Sequence, residues 1–330
     1  MPPDVLRRKR AARLSAALAI GAALLPVPTF ASGVVGEHIL INTMIIDDPF
    51  VEDEATLPTF SWLPQPSRGG QTSDLSTLGF EYDKRITENF GFAINDGYQW
   101  LRTPGAKTAN GWRNLDVTLK YTPYVNDEHE FIVSVGAVRT FAGSGASGAN
   151  GAVLGNDASG STTPTLYWGK GFGDLPVGWL RPFAITGTIG YQIADRELKT
   201  TSAIDPASGM PTTLFNNGVA NQWVGGLSLQ YSLLYLQSQV KDLGLPAFVN
   251  RLTPVVEMAW SSPASKPSQT ATQYLVGLGI AYTEEKFAIG VEALIPGNQQ
   301  TGSHAGFIAQ MHLYFDDLFP TTLGKPVMEW

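Results

Sequence analysis

The sequence predicts an all-β protein, an up-and-down antiparallel transmembrane β-barrel of about 12 strands. Three observations support this fold class. Apolar and polar residues alternate with a period of two along most of the chain, and no long segment fits the helical period. Short and long connections follow one another in turn. Aromatic residues lie beside both kinds of connection, as they do at the two interfaces of a membrane barrel.

Residues 1–31 have the pattern of a secretory signal peptide. Basic residues precede an apolar run over residues 14–25, and the small residue Ala31 marks the expected cleavage site. The run is too short to cross a bilayer as a helix. A buried helix of a cytosolic domain is the alternative, which Pro26 and Pro28 disfavour because proline ends a helix. We expect export and a location in the outer membrane of a Gram-negative cell.

An acidic segment follows, and residues 32–55 are assigned to a periplasmic or plug-like N-terminal segment. Carboxylates in its stretch IIDDPFVEDE, residues 45–54, could bind a divalent cation through their oxygens. The spacing lacks a regular ligand pattern, so a solvated periplasmic segment, or one tucked into the barrel mouth, is favoured instead. The sequence predicts no metal site and no cofactor.

The barrel is assigned to residues 56–317 and a C-terminal periplasmic tail to residues 318–330. TLPTFSWLPQ, residues 56–65, supplies the first strand, and eleven more strands follow between Ser76 and Phe315. An even number of strands leaves both termini in the periplasm. The predicted short links are residues 87–89, 125–130, 174–178, 241–250 and 283–286. The predicted longer loops are residues 104–110, 143–163, 199–218, 261–269 and 296–305.

The stretch GFIAQMHLYF, residues 306–315, illustrates how the two faces of a strand are assigned. Side chains alternate across a strand, so Met311 and Leu313 share an apolar face while Gln310 and His312 lie opposite. A soluble, secreted barrel would alternate equally well with its apolar face inward. Many runs have about 9 to 12 residues, which is near the length of a tilted membrane-spanning strand. This length favours lipid contact for the apolar face.

The same assignment places polar side chains in the lumen. Small residues at Gly277, Gly279 and Ala281 leave room on one wall. A polar interior is typical of a water-filled channel or of a closed network of paired charges. The candidate lumen-facing residues are Glu81, Asp83, Asn95, Asp116, Lys120, Gln230, Glu257, Glu292, Gln310 and His312.

Composition narrows the classes of partner. Only 15% of the residues are charged, against about 25% in soluble domains, which fits a chain with a lipid-covered surface. Removal of residues 1–31 would change the formal charge from −7 to −11, because five basic residues and one acidic residue are lost. This balance disfavours nucleic acid. The chain has no cysteine, so no disulfide stabilises it.

Histidines provide the test for a barrel enzyme, because a lipid hydrolase needs a serine beside a histidine. Ser303 and His304 are adjacent, and adjacent strand residues would point to opposite faces. His312 has no serine two residues away. The sequence therefore predicts that the chain is not an enzyme and has no catalytic residue. A lipid-modifying barrel remains the least favoured function.

The acidic IDDP stretch, the amphipathic strands and the DDLFP tail from Asp316 to Pro320 resemble a family of outer-membrane β-barrel channels associated with phenol-degradation operons. The resemblance implies passage of small molecules, with hydrophobic or aromatic solutes among the candidates. A structural or surface-interaction barrel with a blocked lumen is the alternative. The expected partners are outer-membrane lipid, a small-molecule solute and the barrel-assembly machinery, which would recognise Phe315 or Trp330.

Overall fold

The computed structural model describes residues 33–66, 71–154, 160–204, 210–216, 218–266, 268 and 271–328. The predicted signal peptide and Trp330 lie outside the described residues.

Twelve antiparallel strands form a closed barrel, which confirms the predicted fold class. The strands Glu54–Pro66 and Gly306–Tyr314 pair with each other, with Trp62 opposite Phe307 and Ala55 opposite Leu313. The chain therefore closes by joining its first and last barrel strands. The barrel strands are β3 (Glu54–Pro66), β4 (Thr72–Thr87), β5 (Phe90–Arg102), β7 (Asp116–Asn126), β8 (Phe131–Thr140), β9 (Ser161–Gly171), β10 (Phe183–Ala194), β13 (Gln222–Tyr231), β14 (Leu252–Pro263), β15 (Gln273–Thr283), β16 (Phe287–Pro296) and β17 (Gly306–Tyr314).

Smaller elements lie before and between the barrel strands. Two short strands, β1 (Val34–Val35) and β2 (His38–Ile39), pair ahead of the barrel, and β6 (Ala109–Trp112) pairs with β5. One predicted loop contains a hairpin of β11 (Thr200–Ile204) and β12 (Pro211–Phe215). The helical turns are Gly148–Leu154, Gly178–Leu180, Leu233–Tyr235, Leu236–Val240, Ala247–Asn250 and Phe315–Leu318. Within the described ranges, no helix has the length and apolar character needed to cross a membrane.

The connections alternate between the two ends of the barrel. One end, called the short-link end here, carries residues 88–89, 127–130, 172–182, 232–251 and 284–286, together with residues 33–38 and the tail over residues 315–328. The opposite end carries residues 71, 103–115, 141–154, 160, 195–204, 210–216, 218–221, 264–266, 268, 271–272 and 297–305. Two links of the short-link end are longer than predicted because helical turns form within residues 172–182 and 232–251.

The outer face of the barrel is apolar around most of its circumference. On β17, Phe307 is 40% exposed whereas Ile308 and His312 are 7% and 4% exposed, so the alternation divides the outer from the inner face. The same alternation exposes a large apolar side chain near the middle of most other barrel strands. Examples around the barrel are Leu78, Leu119, Val135, Leu166, Ile189, Leu227, Val256, Leu278 and Val291.

The C-terminal tail folds back onto the short-link end. Val327 N donates to Arg85 O at 3.1 Å, and Met328 N donates to Ile86 O at 2.8 Å. Lys84 Nζ donates to the carbonyl oxygens of Leu323 and Lys325 at 2.8 and 2.6 Å. These contacts fix the tail against the end of β4.

Candidate functional site

The N-terminal segment occupies the barrel lumen, and residues 33–53 are called the plug from here on. It begins at the short-link end, where His38 is fully buried. His38 Nδ1 lies 3.2 Å from Glu130 Oε2, its Nε2 lies 3.3 Å from Pro182 O, and its ring stacks on Tyr235 at 4.3 Å. Burial acts to raise the pKa of Glu130, but hydrogen bonds with His38 and the Gly173 amide lower it below its ordinary value.

The plug then crosses the lumen along one wall, where polar side chains pair with its backbone. Ile41 N donates to Gln230 Oε1 at 2.9 Å, and Gln230 Nε2 donates to Ile41 O at 3.2 Å. Met44 N and Ile45 N donate to the two carboxylate oxygens of Glu257 at 2.9 and 2.8 Å. A segment outside the sheet has unpaired amides, and these side chains satisfy them inside the barrel.

The plug returns across the lumen towards the start of β3. Lys120 Nζ donates to Asp47 Oδ1 and to Asp48 O, both at 2.9 Å. Ser134 Oγ donates to Pro49 O by a short hydrogen bond. The plug is therefore fastened to β7 and β8 as well as to β13 and β14.

Glycines on one wall make room for the plug. A Cβ added at Gly290 would lie 2.6 Å from Met44 Cε, and one added at Gly226 would overlap the side chain of Ile46. These glycines lie on β16 and β13, in the wall formed by β13 to β16, called the filled wall here. The space that the sequence indicated beside Gly277 belongs to this wall, and the plug takes up space there.

A cavity of about 540 Å³ separates the plug from the opposite wall. That wall, called the open wall here, consists of β17, β3, β4, β5 and β7. The basic side chains that line the cavity are Arg113, Lys120 and His312. Acidic side chains are more numerous and come from both the plug and the wall. They are Asp47, Asp48, Glu52, Glu54, Glu81, Asp83, Asp96 and Asp116.

The predicted lumen-facing residues divide into two groups. The cavity is lined by Glu81, Asp83, Asn95, Asp116, Lys120, Gln310 and His312. The other group lies on the filled wall, where Gln230 and Glu257 contact the plug and Glu292 is buried against Gly277. The structure brings the first group together with plug carboxylates that the sequence analysis had left outside the lumen or at its mouth. The acidic run in IIDDPFVEDE was the sequence feature that could have indicated a place for these carboxylates inside the lumen.

His312 contributes to a local network on the open wall. Its Nδ1 lies 2.6 Å from Glu54 Oε1 and 3.0 Å from Thr56 Oγ1, and Thr56 Oγ1 donates to Glu54 Oε1 at 2.8 Å. A hydrolytic triad needs the acid and the nucleophile at opposite ring nitrogens. Both neighbours of His312 meet the same nitrogen, so this network orients side chains and does not form a triad.

Ser303 and His304 require a correction. The expectation that they point apart is wrong, because both lie in the connection over residues 297–305 and not in a strand. Ser303 Oγ lies 3.1 Å from His304 Nδ1. Within the described chain, no hydrogen bond joins the ring of His304 to a carboxylate or amide side chain that could orient it. That the chain is not an enzyme stays a prediction.

The described residues also contain no group of three or more His, Asp or Glu side chains placed to hold a metal ion. In the plug, Asp47 and Asp48 instead pair with Lys120, Asp53 pairs with Lys84 and Arg85, and Glu52 faces the cavity.

No protein-family model matches the sequence, and no curated protein matches it. Solved structures with a similar fold are outer-membrane barrels. An outer membrane channel from Pseudomonas putida F1 aligns over 80% of this chain and 96% of its own, with 10% identity and a TM-score of 0.51. The β domain of the Bordetella autotransporter BrkA aligns over 81% and 100%, with 14% identity and a TM-score of 0.47. The KdgM porin aligns over 78% and 99%, with 10% identity and a TM-score of 0.39. The likeness to the Pseudomonas channel shows that the two share an outer-membrane barrel fold.

Proposed function

We propose that this protein is an outer-membrane channel for small molecules. The observation that carries the proposal is the polar cavity of about 540 Å³ inside a closed barrel with an apolar outer face. Sites for small molecules have volumes of about 300 to 1,000 Å³. A secretory signal peptide over residues 1–31 and recognition by the barrel-assembly machinery belong to the same proposal.

The solute path runs along the open wall, and the plug remains in place. Two features support a fixed plug. Its backbone amides are paired with Gln230 and Glu257, and its return limb is held by Lys120. Removing it would leave these buried polar groups without partners, which costs about 1 to 3 kcal/mol for each unsatisfied group. The plug therefore acts as part of the channel wall.

The composition of the cavity favours polar solutes. The resemblance to barrels associated with phenol-degradation operons predicts aromatic solutes, yet Phe80 is the one phenyl or indole side chain among the described lining residues. Eight carboxylates line the same space. Desolvating carboxylates against an aromatic hydrocarbon is costly, so the path suits a solute that carries hydrogen-bond donors.

A barrel with a blocked lumen is the second candidate, and the plug is the observation that favours it. In that case the protein would serve a structural or surface-interaction role. The two functions differ in whether water and ions cross the barrel beside the plug.

Planar-bilayer recordings of the purified protein distinguish the two candidates. We expect discrete conductance steps, because the cavity leaves the open wall accessible to water and ions. A protein that is folded, as judged by different SDS gel mobility before and after boiling, but gives no steps would contradict the channel and support the blocked barrel. Recovery in the soluble periplasmic fraction with identical mobility would contradict the membrane location.

A further inference from the structure

The cavity holds more carboxyl groups than basic side chains to pair with them. Lys120 is paired with Asp47 and Asp48, at 2.9 and 3.7 Å, and Arg113 lies 3.5 Å from Asp116. Among the described residues, the carboxylates without a lysine or arginine within 4.0 Å include Glu52, Glu81, Asp83 and Asp96. These four side chains come from the plug, β4 and β5 and line one continuous space.

A second, independent observation concerns the side chain of Glu52, which is buried and lacks a hydrogen-bond partner at one oxygen. Its side chain belongs to the plug, lines the cavity and is 7% exposed. Its Oε1 accepts a hydrogen bond from Asn42 Nδ2 at 3.2 Å, whereas its Oε2 is buried and has no hydrogen-bond partner within the described part of the chain. A buried carboxylate oxygen without a donor is costly, so this site lacks a donor that a ligand could supply.

The ligand must bring positive charge and more than one donor. No arrangement of three or more metal-ligating side chains occurs among the described residues, so the geometry does not favour a bare metal ion. The volume of about 540 Å³ admits a small organic molecule. An ammonium group provides three donors and a guanidinium group five, and both pair with carboxylates.

We propose that the cavity binds a small organic cation, through its ammonium or guanidinium groups, at Glu52, Glu81, Asp83 and Asp96. If the protein is a channel, such cations are its preferred solutes, and this consequence rests on the proposed function. Binding itself does not require conduction.

Calorimetric titration of the full-length protein in detergent tests this proposal. Putrescine is the probe, and succinate, which has four carbons and two negative charges, is the matched anion. We expect putrescine to bind and succinate not to bind. Glu52→Gln should weaken putrescine binding at least tenfold, and Asp83→Asn provides a second variant on β4 if the first one misfolds. Glu128→Gln is the control, because Glu128 lies in a separate acidic pocket at the short-link end.

The outcomes separate this inference from the channel proposal. A folded wild type that does not bind putrescine, or binds succinate equally well, overturns the inference whatever its conductance. Equal weakening by Glu128→Gln and Glu52→Gln would also overturn it, because binding would then reflect general surface charge. Putrescine binding by a protein that shows no conductance steps would support the inference and contradict the channel.

Discussion

The filled wall and the open wall belong to one continuous sheet, yet their inner faces have opposite roles. On the filled wall, glycines such as Gly226 and Gly290 allow plug side chains to approach the backbone. On the open wall, Glu81 and Asp83 extend into a cavity. The outer faces of the two walls do not differ in this way, because Leu78 and Leu278 are 43% and 44% exposed. At these two positions the walls differ in their inner faces and not in their outer faces.

The difference shows how a barrel of moderate size can be both packed and hollow. A glycine removes a side chain from the inner face and allows close approach of another segment. A carboxylate does the reverse, because it requires water or a partner around it. Glycines such as Gly226 and Gly290 therefore allow the plug to pack against the filled wall, where Gln230 and Glu257 also pair with its backbone.

The largest expected effect tests whether the outer faces are equivalent. Leu78→Arg on the open wall and Leu278→Arg on the filled wall should each lower the free energy of unfolding in a bilayer by about 2 to 4 kcal/mol, because each places a charge near the middle of a lipid-facing strand. Urea titration of the folded protein in vesicles measures the free energy of unfolding of both variants. Leu313→Arg, one residue from the end of β17, should cost only about 0 to 1 kcal/mol.

A charge introduced on the lumen face provides the comparison with these lipid-facing substitutions. A charge introduced by Gln310→Arg should be tolerated, since Gln310 lines the cavity. A large cost at Leu78 but not at Leu278 would show that the two walls also differ in their lipid contact.

An intermediate effect is expected from filling the inner faces. Gly226→Leu should destabilise the protein by about 1 to 3 kcal/mol, because the new side chain overlaps Ile46 and the plug must shift. Gly79→Leu on the open wall is the matched change, since a Cβ there would be 3.4 Å from Asp96 O, its nearest neighbour. Unfolding titrations and single-channel conductance should be recorded for both variants.

Gly79→Leu is expected to reduce conductance with little loss of stability, whereas Gly226→Leu reduces stability. The reverse pattern would mean that the plug is loosely held and that solutes pass along the wall formed by β13 to β16.

The smallest effect concerns the anchor of the plug. Glu130→Gln should lower the free energy of unfolding by about 1 kcal/mol at neutral pH, because the charged acceptor of His38 is lost. The pKa of Glu130 is lowered in the folded protein, so this stabilisation is present above the ordinary carboxyl pKa and is lost as the pH falls through the lowered value. Unfolding titrations of wild type and variant should therefore converge in acid. A difference that stays constant with pH would show that the charge of Glu130 does not stabilise the anchor.

Strand faces could be predicted because alternation is a local property. In β17, the positions of Met311 and His312 follow from a period of two whatever the rest of the chain does. The hairpin of β11 and β12 was missed, because its residues 200–204 and 211–215 lie within a segment of turn-forming composition that indicated only a flexible loop.

The plug could not be placed from sequence, because its contacts are distant along the chain. Ile41 is paired with Gln230 and Met44 with Glu257, at separations of 189 and 213 residues. A run of acidic residues predicts only that the segment needs water or cations. Which wall it leaves free depends on glycines such as Gly226, Gly277 and Gly290, which lie on three different strands and have no sequence pattern in common with the plug.

The docked tail supports the closure of the barrel from outside the sheet. Lys84 and Arg85 on β4 donate to the carbonyl oxygens of Leu323, Gly324 and Lys325 in the tail. A variant cut after β17 would keep all twelve barrel strands and still leave these two cations, which also bind the buried Asp53, without those oxygens. Because Arg85 pairs with Asp316 after β17 as well as with Asp53 before β3, the tail packs against a cation that joins the two sides of the seam where the sheet closes.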